Sequence, residues 1–409
     1  MSDLLSTRLD VLDAVVLQRD RSQFEADIVA READLRDITR GARILVIGGG
    51  GTIGSATSML LAALRPKALH VVDQSENYLA ELVRDLRSQP EGLHVDDFKA
   101  LPLDYGSPVM GRFLAESDPY DFVLNFAALK HVRSEKDVYS LLQMLDTNVV
   151  RHVRFRRWLL EFGHGKRYFS VSTDKAANPT SLMGASKRLM EDVVFDPALC
   201  RGAIATSARF ANVAFSNGSL LQSFLTRMAK RQPFAAPRDT RRYFVSQAES
   251  GQICLMSAML GHDQSVLFPR LDPVSQLQPL QGVAERVLEQ MGYRAELFED
   301  EKLARGAVEA LAAERRWPLL LTPLDTSGEK PYEEFVGHGE TSIESGLETL
   351  GAVRHVPSAL LSTGLLDMLE DAVSRTDRPV EKAKIVEAIQ SVIPNFSHRE
   401  TGKTLDDRV

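Results

Sequence analysis

At 409 residues, 44% of them hydrophobic and 26% charged, the chain has enough apolar content for one large core or two modest ones. A net charge of −7 gives no basic face for nucleic acid, and no apolar run approaches the ~18 residues of a membrane span. Two cysteines, Cys200 and Cys254, are too few and too far apart for a disulfide scaffold or a zinc site. They are expected to be buried thiols in a reducing cytoplasm, and no metal is expected.

The opening "MSDLLSTRLDVLDAVVLQRD" meets acids too early for a secretory signal. Across residues 1–40, Leu9, Leu12, Val16, Phe24, Ile28, Leu35 and Ile38 recur at near-helical spacing. "SQFE" (22–25) fits a capping box, which predicts a second helix starting there. This helical appendage is expected to pack on the body of the protein or on a second subunit.

From residue 43 the pattern becomes strand, glycine turn, helix, strand. "RILVIGG" reads as a buried strand and "GGTIG" opens an apolar helix; "ALHVVD" (68–73) is the second strand and "ENYLAELVRDLRSQ" (76–89) the next helix. "DFKALPLD" (97–104), "DFVLNFAA" (121–128), "KRYFSVST" (166–173) and "GAIATSARF" (202–210) supply further strands with helical stretches between them. Such alternation predicts an α/β fold: a Rossmann-like doubly wound parallel sheet covered on both faces. After about residue 210 shorter pieces interleave with Pro and Gly. Residues 41–210 are read as a dinucleotide-binding domain and 211–340 as a smaller α/β substrate-binding region interleaved with it. Residues 341–409 are read as a helical tail, broken by "DRP" (377–379).

Gly48, Gly51 and Gly54 stand as G-x-x-G-x-x-G between the first strand and its helix, with Thr52 and Ile53 inside the turn. Glycines there let backbone amides approach a pyrophosphate at the helix N-terminus. Alone the triplet is weak, but here a strand precedes it, a helix follows it and an acid closes the next strand. That acid, Asp73, would accept bonds from the adenosine ribose hydroxyls. No arginine follows it to receive a 2′-phosphate, so NAD is favoured over NADP. Asp104, closing the third strand, is placed either to contact the adenine or simply to end a turn.

Several motifs occur in one order: the glycine turn, "NFAALKHV" (125–132), "TNV" (147–149), "VSTDKAANPTSLMGASKR" (171–188), "RFANVAFSNGSLL" (209–221), "RRYF" (241–244) and "GEKPYEEF" (328–335). The series resembles the extended short-chain dehydrogenases that act as nucleotide-sugar 4,6-dehydratases. The nearest likeness is to the soluble, capsule-polysaccharide-type UDP-N-acetylglucosamine enzymes. The likeness covers roughly residues 40–340 and implies a cytoplasmic lyase of bacterial polysaccharide or glycoprotein sugar biosynthesis, acting as a homo-oligomer. In that family a hydride leaves C4 of the sugar, water is lost across C5 and C6, and the hydride returns to C6.

By this resemblance Asp174 is the acid for the C6 hydroxyl and Lys175 the base for the C5 proton. A lysine serves as a base near neutrality only if burial and neighbouring positive charge lower its pKa. Burial of Lys175 beside Lys187 and the nicotinamide is therefore expected. Thr173 would bond the C4 oxygen, and Lys187 would grip the nicotinamide ribose. Met183 occupies the position of the usual tyrosine base, beside the sugar or nicotinamide, so the C4 proton must leave through Thr173 or the Asp174–Lys175 pair. Ala127 and Lys130 are expected against the cofactor, His131 in a structural role, and Asn148 distorting a helix or supporting the site. Asn212, Ser219, Arg242 and Glu329 match positions that hold the sugar nucleotide. Arg242 is preferred to Arg241 because it stands directly before the aromatic pair. Asn217 replaces a common family arginine, which leaves UDP and GDP sugars open. The same residues admit C5 inversion, 4-epimerisation or a catalytically inactive NAD-binding scaffold as alternatives.

Overall fold

The computed structural model describes residues 9–90, 92–130, 135, 137–323, 330–358, 360–393 and 395–398. Three short helices come first: α1 (Val11–Leu17), α2 (Glu25–Ala30) and α3 (Glu32–Thr39). The alternating region follows as β1 (Arg43–Ile47), α4 (Thr52–Ala63), β2 (Ala68–Val72), α5 (Glu76–Ser88), β3 (Asp97–Leu101) and α6 (Pro108–Glu116). It continues through β4 (Phe122–Asn125), α7 (Val138–Leu145), α8 (Arg151–Glu161), β5 (Arg167–Val171), α9 (Leu182–Phe195), α10 (Pro197–Cys200) and β6 (Ile204–Ala208). Each of the six strands read from the sequence forms within the predicted stretch.

Beyond them lie β7 (Asn212–Val213), α11 (Leu220–Ala229), β8 (Phe234–Pro237), β9 (Arg241–Arg242), β10 (Phe244–Val245), α12 (Gln247–Leu260) and β11 (Ser265–Pro269). Then come β12 (Gln278–Pro279), α13 (Leu280–Gln290), β13 (Arg294–Phe298), α14 (Glu301–Ala313) and β14 (Arg316–Thr322). The chain closes with β15 (Thr341–Ile343), β16 (Leu350–Arg354), α15 (Leu365–Ser374) and α16 (Lys382–Val392).

The main sheet runs β15-β16-β11-β6-β5-β4-β1-β2-β3. All pairings from β3 to β11 are parallel, and β16 and β15 join antiparallel. The chain winds outward from β1 through β2 and β3, then returns to build β4, β5 and β6 on the other side. The C-terminal ends of β1, β2 and β4 are level, since Ile47 stands opposite both Val72 and Asn125. A doubly wound sheet opens a crevice at that reversal, where ligands bind. β13, β14 and β8 make a separate parallel sheet in the order β13-β14-β8.

The expected helical tail starts later than residue 341. β15 and β16 belong to the main sheet, which the local sequence could not show because β16 joins it through β11, far back along the chain, and β15 pairs on β16. The helices beyond them do pack over the site: Leu365, Leu366, Leu369, Ile385 and Ile389 share one buried cluster with Leu182, Met183 and Leu189 of α9.

The N-terminal arm packs on its own body. Phe24, Ile28 and Leu35 enter the main core, and Asp27 accepts bonds from the amides of Glu348 and Thr349 at 3.0 and 2.7 Å. Arg19 grips the buried Glu249 with two contacts of 2.9 Å. The capping box predicted at "SQFE" does not form: α2 begins at Glu25 with Phe24 as an uncapped N-cap. Ser22 Oγ instead donates to Gln252 Oε1 at 2.6 Å, because docking the arm buries that hydroxyl against α12. Cys254 is buried as expected, but Cys200 is only half-buried at the end of α10; both are free thiols.

Candidate active site

The glycine turn is shaped by contact as much as by flexibility. Gly48 adopts φ +71°, and a Cβ on Gly54 would stand 2.3 Å from the Gly48 carbonyl oxygen, so no side chain fits. No side chain caps the N-terminus of α4, whose N-cap is Gly51. Its first-turn amides therefore face the crevice ready for an anion. Asp73 closes β2 and folds back on this turn, Oδ2 accepting from Gly50 N at 3.0 Å and Oδ1 from Ser75 N at 2.9 Å.

Two connected cavities occupy the crevice. One of about 460 Å³ is lined by Gly48, Gly51, Asp73, Asp104, Ala127 and Arg151 among others. Asp104 is already partnered there by the Arg151 guanidinium and by Gly106 N at 2.9 Å. The other, of about 610 Å³, joins the turn residues Thr52, Ile53 and Gly54 to Lys130, Thr173, Lys175, Met183, Lys187, Asn212 and Ser219. The glycine turn thus shares one space with Lys130, Thr173, Lys175, Met183, Lys187, Asn212 and Ser219.

The wall opposite the turn is held by a buried asparagine. Residues 146–150 form a π-helical turn between α7 and α8. Inside it Asn148 accepts from Leu129 N at 2.9 Å and donates to Leu129 O at 2.9 Å and Ser186 Oγ at 3.0 Å. The helix distortion expected at "TNV" therefore clamps the 126–130 loop to α9. Asn125, which the sequence reading passed over, shapes the same loop by accepting from Ala127 N at 2.9 Å.

The "TDK" turn leaves β5 beside the cavity. Thr173 Oγ1 donates to Asp174 Oδ1 at 2.9 Å, and Lys175 Nζ donates to the same oxygen at 3.0 Å. Thr173 and Lys175 line the larger cavity, whereas Asp174 is buried behind them. The burial expected at Lys175 is found at Lys187 instead. Lys175 keeps 23% of its side chain exposed, while Lys187 is buried and donates to Val171 O at 2.6 Å. Burial lowers the Lys187 pKa to about 7, only partly opposed by Glu191. Met183 is buried in the cavity wall and offers no proton acceptor there.

The sugar-nucleotide candidates separate. Asn212 and Ser219 line the larger cavity, Ser219 also capping α11 by accepting from Gln222 N at 3.2 Å. Asn217, at the departed arginine position, donates its backbone N–H to Thr52 Oγ1 at 3.1 Å and so ties this turn to the glycine turn. Arg242 lies outside the lining, its guanidinium donating to the carbonyls of Arg241, Pro331 and Lys330 at 2.8–3.1 Å. Glu329 and His131 fall outside the described residues.

Behind the site lies an ion-pair network centred on the fully buried Arg209 and Glu191. Arg209 forks onto Glu191 at 2.8 and 2.7 Å and reaches Glu340, while Ser172 Oγ donates to Glu191 Oε1 at 2.6 Å. Glu191, Glu340 and His355 converge closely enough to suggest a cation site, but the guanidiniums of Arg209 and Arg188 occupy their oxygens.

A doubly wound sheet, a glycine turn at its switch point and a Ser/Thr–Lys pair lining the same cavity define an extended short-chain dehydrogenase/reductase. The sequence model of the family described as "Polysaccharide biosynthesis protein" matches residues 44–353, and the chain belongs to that family. It is 27% identical over 285 residues to "Uncharacterized membrane protein MJ1061" of Methanocaldococcus jannaschii, covering 69% of this chain and 82% of that one. To a "UDP-N-acetylglucosamine 4,6-dehydratase (inverting)" of Campylobacter jejuni it is 25% identical over 237 residues, covering 56% of this chain and 67% of the other. It spans less than half the length of two further relatives, 48% of Bacillus subtilis EpsC and 44% of Staphylococcus aureus CapD. Among solved structures, Pen from Bacillus thuringiensis shares the fold, with a TM-score of 0.61, 20% identity and coverage of 77% of this chain and 88% of that one. Among the described residues no helix is long and apolar enough to cross a membrane.

Proposed function

We propose that the protein is an NAD-dependent nucleotide-sugar 4,6-dehydratase acting on UDP-N-acetylglucosamine or a close UDP- or GDP-N-acetylhexosamine. The observation that carries this reading is that Thr173, Lys175 and Lys187 line one cavity with the glycine turn, with Met183 where a base would stand. An alcohol dehydrogenase or 4-epimerase needs that base and has no use for a second amine; an elimination needs an added acid–base pair. The dehydratases named among the relatives support the reading.

The uncapped α4 N-terminus, the glycine cradle and the Asp73 carboxylate suit a dinucleotide whose adenosine ribose carries free hydroxyls. A nicotinamide dinucleotide bound there supplies reversible hydride acceptance at the sugar. Thr173 orients the C4 oxygen, and Lys175 takes the C5 proton. Asp174 lies behind both and bonds both through one oxygen, so its acid role is exercised by relay through them. Lys187 anchors the cofactor side of the cavity from the buried face of α9.

Incubation with UDP-N-acetylglucosamine in D2O, followed by NMR and mass spectrometry, is expected to give a 4-keto-6-deoxy product labelled at C5. Absence of a 4-keto product with every UDP- and GDP-N-acetylhexosamine overturns the reading. Gly54→Ala, which forces a methyl into the Gly48 carbonyl, is expected to weaken NAD binding by at least ~10-fold in a calorimetric titration.

A further inference from the structure

The segment from Lys330 to Glu340 lies across the turn that follows Lys175. Asn178 Nδ2 donates to Glu334 Oε2 at 3.0 Å, His338 N donates to Asn178 Oδ1 at 2.9 Å, and Lys330 Nζ donates to Asn178 O. Gly337 approaches so closely that a Cβ there would stand 2.5 Å from Ala177 O. From the other side, Arg242 ties down the Lys330 and Pro331 carbonyls. These contacts aim Glu333 at the catalytic turn. Its Oε1 lies 3.7 Å from Lys175 Nζ, and it is 6% exposed. Its Oε2 has no hydrogen bond among the described residues and lies 3.9 Å from Lys330 Nζ.

We propose that Glu333 is a positioning residue that, together with Asp174, brackets the Lys175 amine between two carboxylates and controls how readily it gives up its proton. The bracket has a physical rationale. A carboxylate within ~4 Å attracts the amine, so Glu333 and Asp174 together hold Lys175 in place. Burial raises the Glu333 pKa and Asp174 adds to the rise, while Lys175, Arg242 and Lys330 oppose it. The charged groups facing Glu333 are thus Lys175, Asp174, Arg242 and Lys330. The catalytic consequence rests on the dehydratase reading; the bracket does not.

The test is competitive acetylation of the purified full chain with acetic anhydride across pH, read on the Lys175 peptide by mass spectrometry. In Glu333→Gln, loss of the neighbouring negative charge is expected to lower the Lys175 titration by about half to one pH unit. That makes its acetylation about 3- to 10-fold faster near pH 8. Glu333→Asp, which keeps the charge, is expected to stay near wild type. For dehydration, Glu333→Gln is expected to lower kcat about 10-fold and move the rising limb of the pH profile to lower pH, with bound NAD retained. A Glu333→Gln titration equal to wild type, or a Glu333→Asp titration equal to Glu333→Gln, overturns the inference. If wild type yields no keto sugar while the titration shifts as stated, the dehydratase reading fails and the bracket stands. If keto sugar forms and neither titration nor pH profile moves, Glu333 alone was misassigned.

Discussion

Lys175→Ala is expected to lower sugar dehydration by ~10³-fold while leaving NAD bound, because a positioned acid or base contributes about 10²–10⁴ to such rates. The separation follows from where its atoms lie. Lys175 lines the larger cavity and its Nζ pairs with Asp174 and Glu333, whereas the dinucleotide features belong to the ends of β1 and β2 and the start of α4. Lys175→Arg keeps the charge but gives a group that does not deprotonate, so it too is expected to be inactive. Single-turnover rates with quantified bound cofactor check both variants. Loss of NAD from Lys175→Ala would show that the residue belongs to the cofactor site instead.

The second large effect is on stability. Arg209→Met is expected to destabilise the fold by about 3–5 kcal/mol, since removing one partner strands buried carboxylates. Arg209 is fully buried and bonds Glu191, Glu340 and the Phe335 carbonyl. It holds the Glu191 carboxyl at about 2, below the ordinary value of 4.5 and against the opposing effect of burial. A folded-state pKa lowered in this way adds stability that is full above the unfolded value and is lost as pH falls from about 4.5 toward 2. Urea unfolding of wild type is therefore expected to weaken across that window. In Arg209→Met the weakening shrinks, because Glu191 no longer prefers the ionised form so strongly. Equal acid dependence in the two proteins would show that the pair does not govern it.

Much of the site was legible because its signals are local. A strand, three spaced glycines, an apolar helix and an acid at the next strand end lie within one short stretch, and their chemistry needs no distant partner. The same holds for "TDK", whose three residues meet because they are adjacent. Asn148 could be suspected of distorting a helix from "TNV" alone. The capping box at Ser22 failed for the opposite reason: the local pattern was sound, but docking of the arm gave the hydroxyl a better partner in Gln252.

The sequence by itself determined the class of fold, the cofactor turn and the identity of the groups leaving β5, since each depends on periodicity or on neighbours in the chain. Tertiary structure alone decided which lysine is buried, that Asp174 stands behind the cavity and that β15 and β16 complete the sheet. It also decided that Glu333, from a motif in which Glu329 had drawn attention, meets Lys175. Burial and ion pairing depend on how separate segments are brought together, and a single chain read in order carries no distance between them.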